Sequence, residues 1–332
     1  MSAMRLRVSL LTTLMLVIGL STLFFTVALS LFGAFDFVTL ALFVVGFNLI
    51  QWLIAPYIVD AMYRVHEVSR GERPELYDVV ERVSHRSRLP MPRVMISQIP
   101  IPNAFAYGSP LAGTRLAVTS GLLKTLEPEE VEAVVGHELG HIKHRDVQVM
   151  MFISILPALL YFLSYSLYSS ARYGRDREKS SGAALLGTMS MLLYFVLTLL
   201  SLHLSRLREY YADRHSVAVV EDGPRKLSEA LAKIVSYTGW MGRANDVKAY
   251  SNFKALFIAD PDTAGKDAVH VRMTLRGSDQ QLVQSVLARK VSAFDSFAEV
   301  FSTHPNIVKR LQALQALQQT ETEREKHLRR GK

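Results

Sequence analysis

The chain has 332 residues, 49% of them hydrophobic and 20% charged, with a formal net charge of +8 and no cysteine. Disulfides and cysteine-held zinc are excluded, so any zinc must be held by His, Glu or Asp. The apolar balance points to membrane segments, which basic residues commonly flank near anionic lipid. With no glycine-rich phosphate loop and no basic stretch interleaved with aromatics, nucleic acid is not an expected partner.

In chain order, Arg5 and Arg7 precede an apolar run from Val8 to Phe35, and a second runs from Phe37 to Ala55. Each is long enough to cross about 30 Å of hydrocarbon as a helix. The first is too long for a signal-peptide core and has no small-x-small cleavage site. A helical hairpin turning tightly around Gly33–Asp36 is the expectation. Asp60–Leu89 reads as polar and helical, with Pro74 near the start of a helix whose apolar face is Leu76, Val79, Val80 and Val83. Arg93–Gln98 and Arg115–Ser120 are strand candidates. With Asn103-Ala104-Phe105 between them and prolines around them, they predict a small antiparallel sheet with a free edge.

Pro128 then opens an amphipathic helix with Glu127, Glu129 and Glu130 at its positive end. This helix carries His137-Glu138-Leu139-Gly140-His141, the pattern H-E-x-x-H. Two histidines four residues apart share a helix face and can reach one metal ion. Glu138 beside the first is placed to take a proton from a water activated by that metal. Charged residues surround the motif, which argues for an aqueous boundary rather than an intramembrane site. Val147–Ser170 and Ala183–Leu204 are third and fourth apolar runs, separated by a short charged loop. The remainder is polar, with helices expected over Pro224–Thr238, Ser285–Phe301 and Pro305–Gln319, a loop over Ala259–Gln281, and a frayed charged tail from Thr320.

A catalytic zinc needs three protein ligands and one open position. His144 shares the motif face but lies roughly 10 Å along the axis from His137 at 1.5 Å per residue, too far for one ion. Glu209 is the better third ligand, because two membrane crossings return the chain to the side it left. Asp213, one turn further on, could fix the tautomer of a ligand histidine. Taken alone, Glu209 and Asp213 are also readable as solvated residues among Arg206, Arg208 and Arg214; the motif tips the reading towards a ligand.

Five ordered stretches carry a family resemblance: Pro100–Gly108, Val118–Leu123, His137–His141, Glu209-Tyr210-Tyr211-Ala212-Asp213 and Phe301–Pro305. Together they resemble the HtpX family of membrane-bound zinc metalloproteases. The CAAX prenyl proteases are more distantly similar and carry more membrane spans than four. The resemblance implies one Zn2+ on His137, His141 and Glu209, with Glu138 as general base. It implies that Asn103, Ala104 and Phe105 form an edge strand along which substrate lies extended, so broad specificity is expected. His304 and Arg310 match late positions near the site. His304 reads either as a stabiliser of the tetrahedral oxyanion or as a residue leading into a helix. The sequence departs from the family at Asn306, where a second proline is frequent.

The expected fold is a mainly α-helical integral membrane protein. Four transmembrane helices accompany a mostly helical zincin-type cytosolic domain with a small antiparallel sheet. Expected units are a membrane hairpin (1–57), a first protease part (58–146), a second hairpin (147–204), a second protease part (205–319) and a tail (320–332). The expected activity is hydrolysis of unfolded or misassembled proteins, membrane proteins among them, as quality control. The positive-inside bias places the chain in the cell membrane with its site facing the cytoplasm, although the loop Arg172–Lys179 is also basic. The rival reading is a non-catalytic zinc-stabilised scaffold or holdase, which requires a closed four-ligand site.

Overall fold

A computed structural model describes residues 37–173, 177–243 and 278–330. The first apolar run and most of Ala259–Gln281 lie outside the described residues. The described helices are α1 (Phe37–Tyr63), α2 (Pro74–Ser87), α3 (Ser120–Thr125), α4 (Pro128–Lys143), α5 (Asp146–Tyr173), α6 (Arg177–Val219), α7 (Gly223–Arg243), α8 (Asp279–Leu287), α9 (Ala293–Val300) and α10 (Ile307–Arg330). The strands are β1 (Val65–Glu67), β2 (Arg93–Ser97), β3 (Ala104–Ser109) and β4 (Gly113–Thr119).

Three described helices are long and apolar enough to cross a membrane: α1, α5 and α6. Helices α5 and α6 form an antiparallel pair, pinned where the Ser164 hydroxyl donates to the Gly187 carbonyl at 2.8 Å. Val44 of α1 packs with Ala158 and Phe162 of α5. Four spans were expected; the fourth falls on the first apolar run, outside the described residues.

The sheet has the order β1-β2-β4-β3 and is mixed, because β2 and β4 run parallel. The expected antiparallel sheet is corrected on this point. A parallel pair needs a crossover, and here β3 supplies it by looping out to the edge before β4 returns beside β2. Alternation sends Val94, Ile96, Leu116 and Val118 to the main core and Met95, Phe105, Tyr107 and Ala117 to a second cluster with Tyr63 and Ile101. Strand β1 was missed within the helical reading of Asp60–Leu89. At three residues it has too little pattern to read, and its pairing with β2 defines it.

Other differences are local. Ser285–Phe301 is not one helix, because Ser292 and Asp295 form a capping box that starts α9 anew. Helix α10 continues through the expected tail to Arg330. Its N-terminus is capped by Asn306, whose Oδ1 accepts from Val308 N at 2.9 Å. That bond is what the asparagine contributes in place of a proline.

Helix α4 was expected to be amphipathic, yet every residue from Glu130 to Gly140 is buried. Its start follows the sequence signals: Pro128 at the first turn and a capping box between Glu127 and Glu130. Its burial comes from helices α2, α6 and α7 and strand β3 closing around it. Against α6 the approach is close enough to require glycine. A Cβ on Gly140 would stand 2.9 Å from Ala212 Cα, and one on Gly136 3.0 Å from Ser216 Oγ. Ser216 Oγ donates to the Ala133 carbonyl at 2.6 Å across the same seam.

Gly140→Ala should therefore cost about 1–3 kcal/mol by overpacking. The expected outcome is a thermal unfolding midpoint several degrees lower in detergent. Gly46→Ala, where an added Cβ meets nothing within 4 Å, should leave the midpoint unchanged.

Candidate active site

The α4–α6 seam brings the motif and the returning helix together. His137 and His141 on α4 converge with Glu209 on α6, their ligand-type atoms all within 4.8 Å of one another. The two Nε2 atoms are 3.2 Å apart. Glu209 Oε2 lies 3.6 Å from His137 Nε2, and Oε1 lies 3.5 Å from His141 Nε2. Ligands at 2.0–2.1 Å on a tetrahedral ion stand roughly 3.3–3.5 Å apart, so the three side chains have about the spacing of one zinc coordination face.

The other ring nitrogens are engaged. His137 Nδ1 lies 2.9 Å from Asp213 Oδ1, and His141 Nδ1 lies 2.6 Å from Asp146 Oδ2. Carboxylates at both Nδ1 atoms favour the tautomer that turns each Nε2 lone pair inward. Two inward lone pairs 3.2 Å apart repel unless a cation lies between them. Burial works against a charged His137 ring, but Asp213 and Glu209 override it and push its pKa up to about 10. The pocket favours positive charge at this point, and a metal that binds must displace that proton.

Arg310 is the buried counter-charge, 1% exposed. Its Nε and Nη2 donate to the two oxygens of Asp213 at 2.9 and 2.6 Å, and its Nη1 lies 3.1 Å from Glu209 Oε2. Burial opposes its charge, yet Asp213 and Glu209 raise its pKa further above the arginine range. Arg208 Nε lies 3.0 Å from Asp146 Oδ1. With both histidines neutral, as metal ligation requires, the four carboxylates Glu138, Asp146, Glu209 and Asp213 outnumber the guanidiniums of Arg310 and Arg208 by two, a surplus one divalent ion would offset.

Glu138 is 4% exposed. Burial pushes its pKa up, against the opposing pull of His141 and His137. Its Oε2 accepts from the Ala106 amide of β3 at 3.0 Å. Among the described residues, strand β3 is an edge strand, paired only to β4. Asn103 is committed to the sheet: its carbonyl accepts from Thr119 N and its amide donates to Thr119 Oγ1. By alternation, Ala104, Ala106 and Gly108 direct backbone groups to the free edge. Of the expected substrate residues, only Ala104 faces that edge. All three side chains are buried, Phe105 with its ring centroid 5.2 Å from that of Tyr63, and the backbones of Asn103 and Phe105 turn towards β4.

His304 lies in the segment between α9 and α10, its Nδ1 3.4 Å from Glu209 Oε1. It is not in the helix, which begins three residues later. His144 stands at the C-terminal cap of α4, exposed and away from the three converging atoms. Sequence reasoning missed Asp146, Arg208 and the Ala106 amide. Asp146 is five residues past His141, a spacing that points it away on a continuous helix. Arg145, at φ 53°, breaks the helix and returns Asp146 to the site. An acid just after the motif at a helix–membrane junction was the available signal.

Comparisons with known proteins agree with this geometry. The profile of Peptidase family M48 matches residues 70–318. A "Protease HtpX homolog" of Thermoplasma acidophilum is 38% identical over 287 residues, covering 84% of this chain and 85% of that protein. One of Aeropyrum pernix is 38% identical over 284 residues, covering 84% and 85%. "Protease HtpX homolog 2" of Saccharolobus solfataricus is 35% identical, covering 90% and 93%. Among solved structures, the crystal structure of S. mikatae Ste24p aligns with a TM-score of 0.53 at 18% identity, covering 91% of this chain. This chain spans 64% of that protein's length, and the likeness is one of fold. By the M48 match across three quarters of its length and its HtpX relatives, this chain belongs to peptidase family M48, among the HtpX-type membrane metalloproteases.

Proposed function

We propose that the protein is a zinc-dependent endopeptidase anchored in the cell membrane, cleaving unfolded or misassembled proteins, membrane proteins among them, at a cytoplasmic site. The observation that carries this is the convergence of His137, His141 and Glu209 beside the buried Glu138. In this reading those three residues hold one Zn2+. Asp213 and Asp146 orient the two histidines, and Arg310 holds both Asp213 and Glu209 in place. The ion supplies Lewis acidity, acidifying a water and polarising the scissile carbonyl. Glu138 takes the water proton and passes it to the leaving amine, a task suited to a carboxyl whose pKa burial has raised. His304, with Nδ1 towards Glu209, has Nε2 for the developing oxyanion.

Substrate adds to β3 as an extended strand through the backbone of Ala104 and the carbonyl of Ala106, whose amide is held by Glu138. Backbone pairing accepts many sequences, which suits a protease of damaged chains. Three donors with a clear geometric rationale support an open, catalytic site over the closed four-ligand site of a scaffold. The basic residues Arg64, Arg73, Lys143, Arg145, Arg206 and Arg208 beside the spans support a cytoplasmic domain.

Glu138→Gln should retain stoichiometric zinc and lose cleavage of casein, both measured on the purified full chain. Chelation should abolish wild-type cleavage and added zinc should restore it. Zinc-loaded wild-type protein without peptidase activity would instead favour the scaffold. Asp146→Asn should weaken zinc binding by roughly 10–100-fold in a competition titration. If its affinity matches wild type, Asp146 does not orient His141. A cysteine introduced by Glu81→Cys should react with an impermeant maleimide only when the cytoplasmic face is exposed; labelling from outside would reverse the orientation.

A further inference from the structure

Outside the spans, the described residues expose few large apolar side chains. Three lie on α9: Phe294 at 50%, Phe297 at 61% and Val300 at 38%. They recur every three residues and form one outward stripe, while Ala298 and Glu299 face inward and are buried. Glu299 is tied down by its contact with Lys309 and by accepting from Asn306 N at 3.0 Å. One side of this short helix is therefore packed on the domain and the other is bare. Bare phenylalanines on a helix of a few turns mark a surface that meets something apolar.

The position of α9 names that partner. Arg206 Nη1 donates to the carbonyls of Glu299, Val300 and Ser302 at 2.9, 3.0 and 2.8 Å, capping the C-terminal end of α9. Arg206 stands two residues past the apolar run that ends at Leu204 of α6. Helix α9 is thus fixed at the level where α6 leaves the hydrocarbon.

A second element, the β3–β4 turn, also contacts a spanning helix. The β3–β4 turn presents Leu111, 68% exposed. Ser109 Oγ, at the base of that turn, donates to the Leu53 carbonyl of α1 at 3.0 Å. Leu53 lies inside the second apolar run, in the turn before Pro56, where the helical ladder is interrupted. Exposed Arg64 and Arg145, at the ends of α1 and α4, supply cations where anionic headgroups lie.

We propose that the protease domain rests on the bilayer through two non-spanning contacts, the Phe294–Phe297–Val300 face of α9 and the Leu111 turn, both seated in the lipid interface. An apolar helix face lying at the headgroup boundary is the physical form of such a contact. Each contact continues into the site: the segment after α9 carries His304, and the strand before the turn carries the Ala104–Ala106 edge. The bilayer surface would then hold both walls of the cleft, and an extended segment leaving the membrane beside Leu111 would run along β3 towards Glu138.

The chain has no cysteine, so single sites can be labelled directly. Leu111→Cys and Phe297→Cys, each carrying a nitroxide, are reconstituted as full-length protein in phosphatidylcholine–phosphatidylglycerol vesicles. Collision with oxygen and with a water-soluble nickel chelate is then measured. Glu81→Cys serves as the aqueous reference and Leu186→Cys, on the outer face of α6, as the lipid reference. The expected result is an oxygen-to-nickel ratio at 111 and 297 several-fold above that at 81, approaching that at 186. A nickel-accessible label at either position overturns the proposal. Shielding from both reagents also overturns it, because a protein segment or a second copy would then cover the face.

Discussion

The closeness of α4 to α6 is the constraint on which the site depends. Glu209 and His137 are 72 positions apart in the chain and are separated by the α5–α6 excursion. They meet because Gly136 and Gly140 carry no side chain where Ala212 and Ser216 pass. These glycines lie one residue before each histidine. The same helix turns that aim the imidazoles therefore also permit the approach that delivers the carboxylate. A bulkier residue at either position would push Glu209 outward and change every distance in the cluster.

Once the helices are this close, four buried carboxylates stand together, at a large desolvation cost. Arg310 offsets much of it by spanning Asp213 and Glu209, and Arg208 does so for Asp146. The remaining negative charge is what a divalent cation is suited to neutralise. The same arrangement fixes both imidazoles through their Nδ1 atoms. Electrostatic compensation and geometric orientation are here one set of contacts, so loss of any member disturbs both. Helix α10 takes part through Arg310, which explains why a helix far along the chain is packed into the core.

The sheet connects this pocket to the membrane helices. Asp60 near the end of α1 accepts from the Tyr107 hydroxyl at 2.6 Å and pairs with the buried Arg115. Tyr107 and Arg115 are cross-strand partners on β3 and β4. The middle of the edge strand is thereby tied on one side to α1 through Tyr107 and on the other to Glu138 through the adjacent Ala106 amide. Its free edge is held in fixed relation to α1 and to Glu138.

The sequence by itself determined the family and the candidate metal-binding motif. H-E-x-x-H on a helix opened by Pro128 named three residues, because side chains four apart on one helix meet without help from the rest of the fold. The apolar runs were legible from length alone, and their parity returned Glu209 and Asp213 to the motif's side. A small Pro-bounded sheet with a free edge was legible from the residues, while the edge strand at Ala104 came from the family resemblance. Tertiary structure decided what depends on contacts between distant segments. The parallel pairing of β2 with β4, the three-residue β1, the burial of α4 on all sides and the counter-charge from Arg310 carry no local pattern. Asp146 shows the difference most directly. Helical periodicity points it away from His141, and only the left-handed Arg145 turn at the membrane junction brings it back.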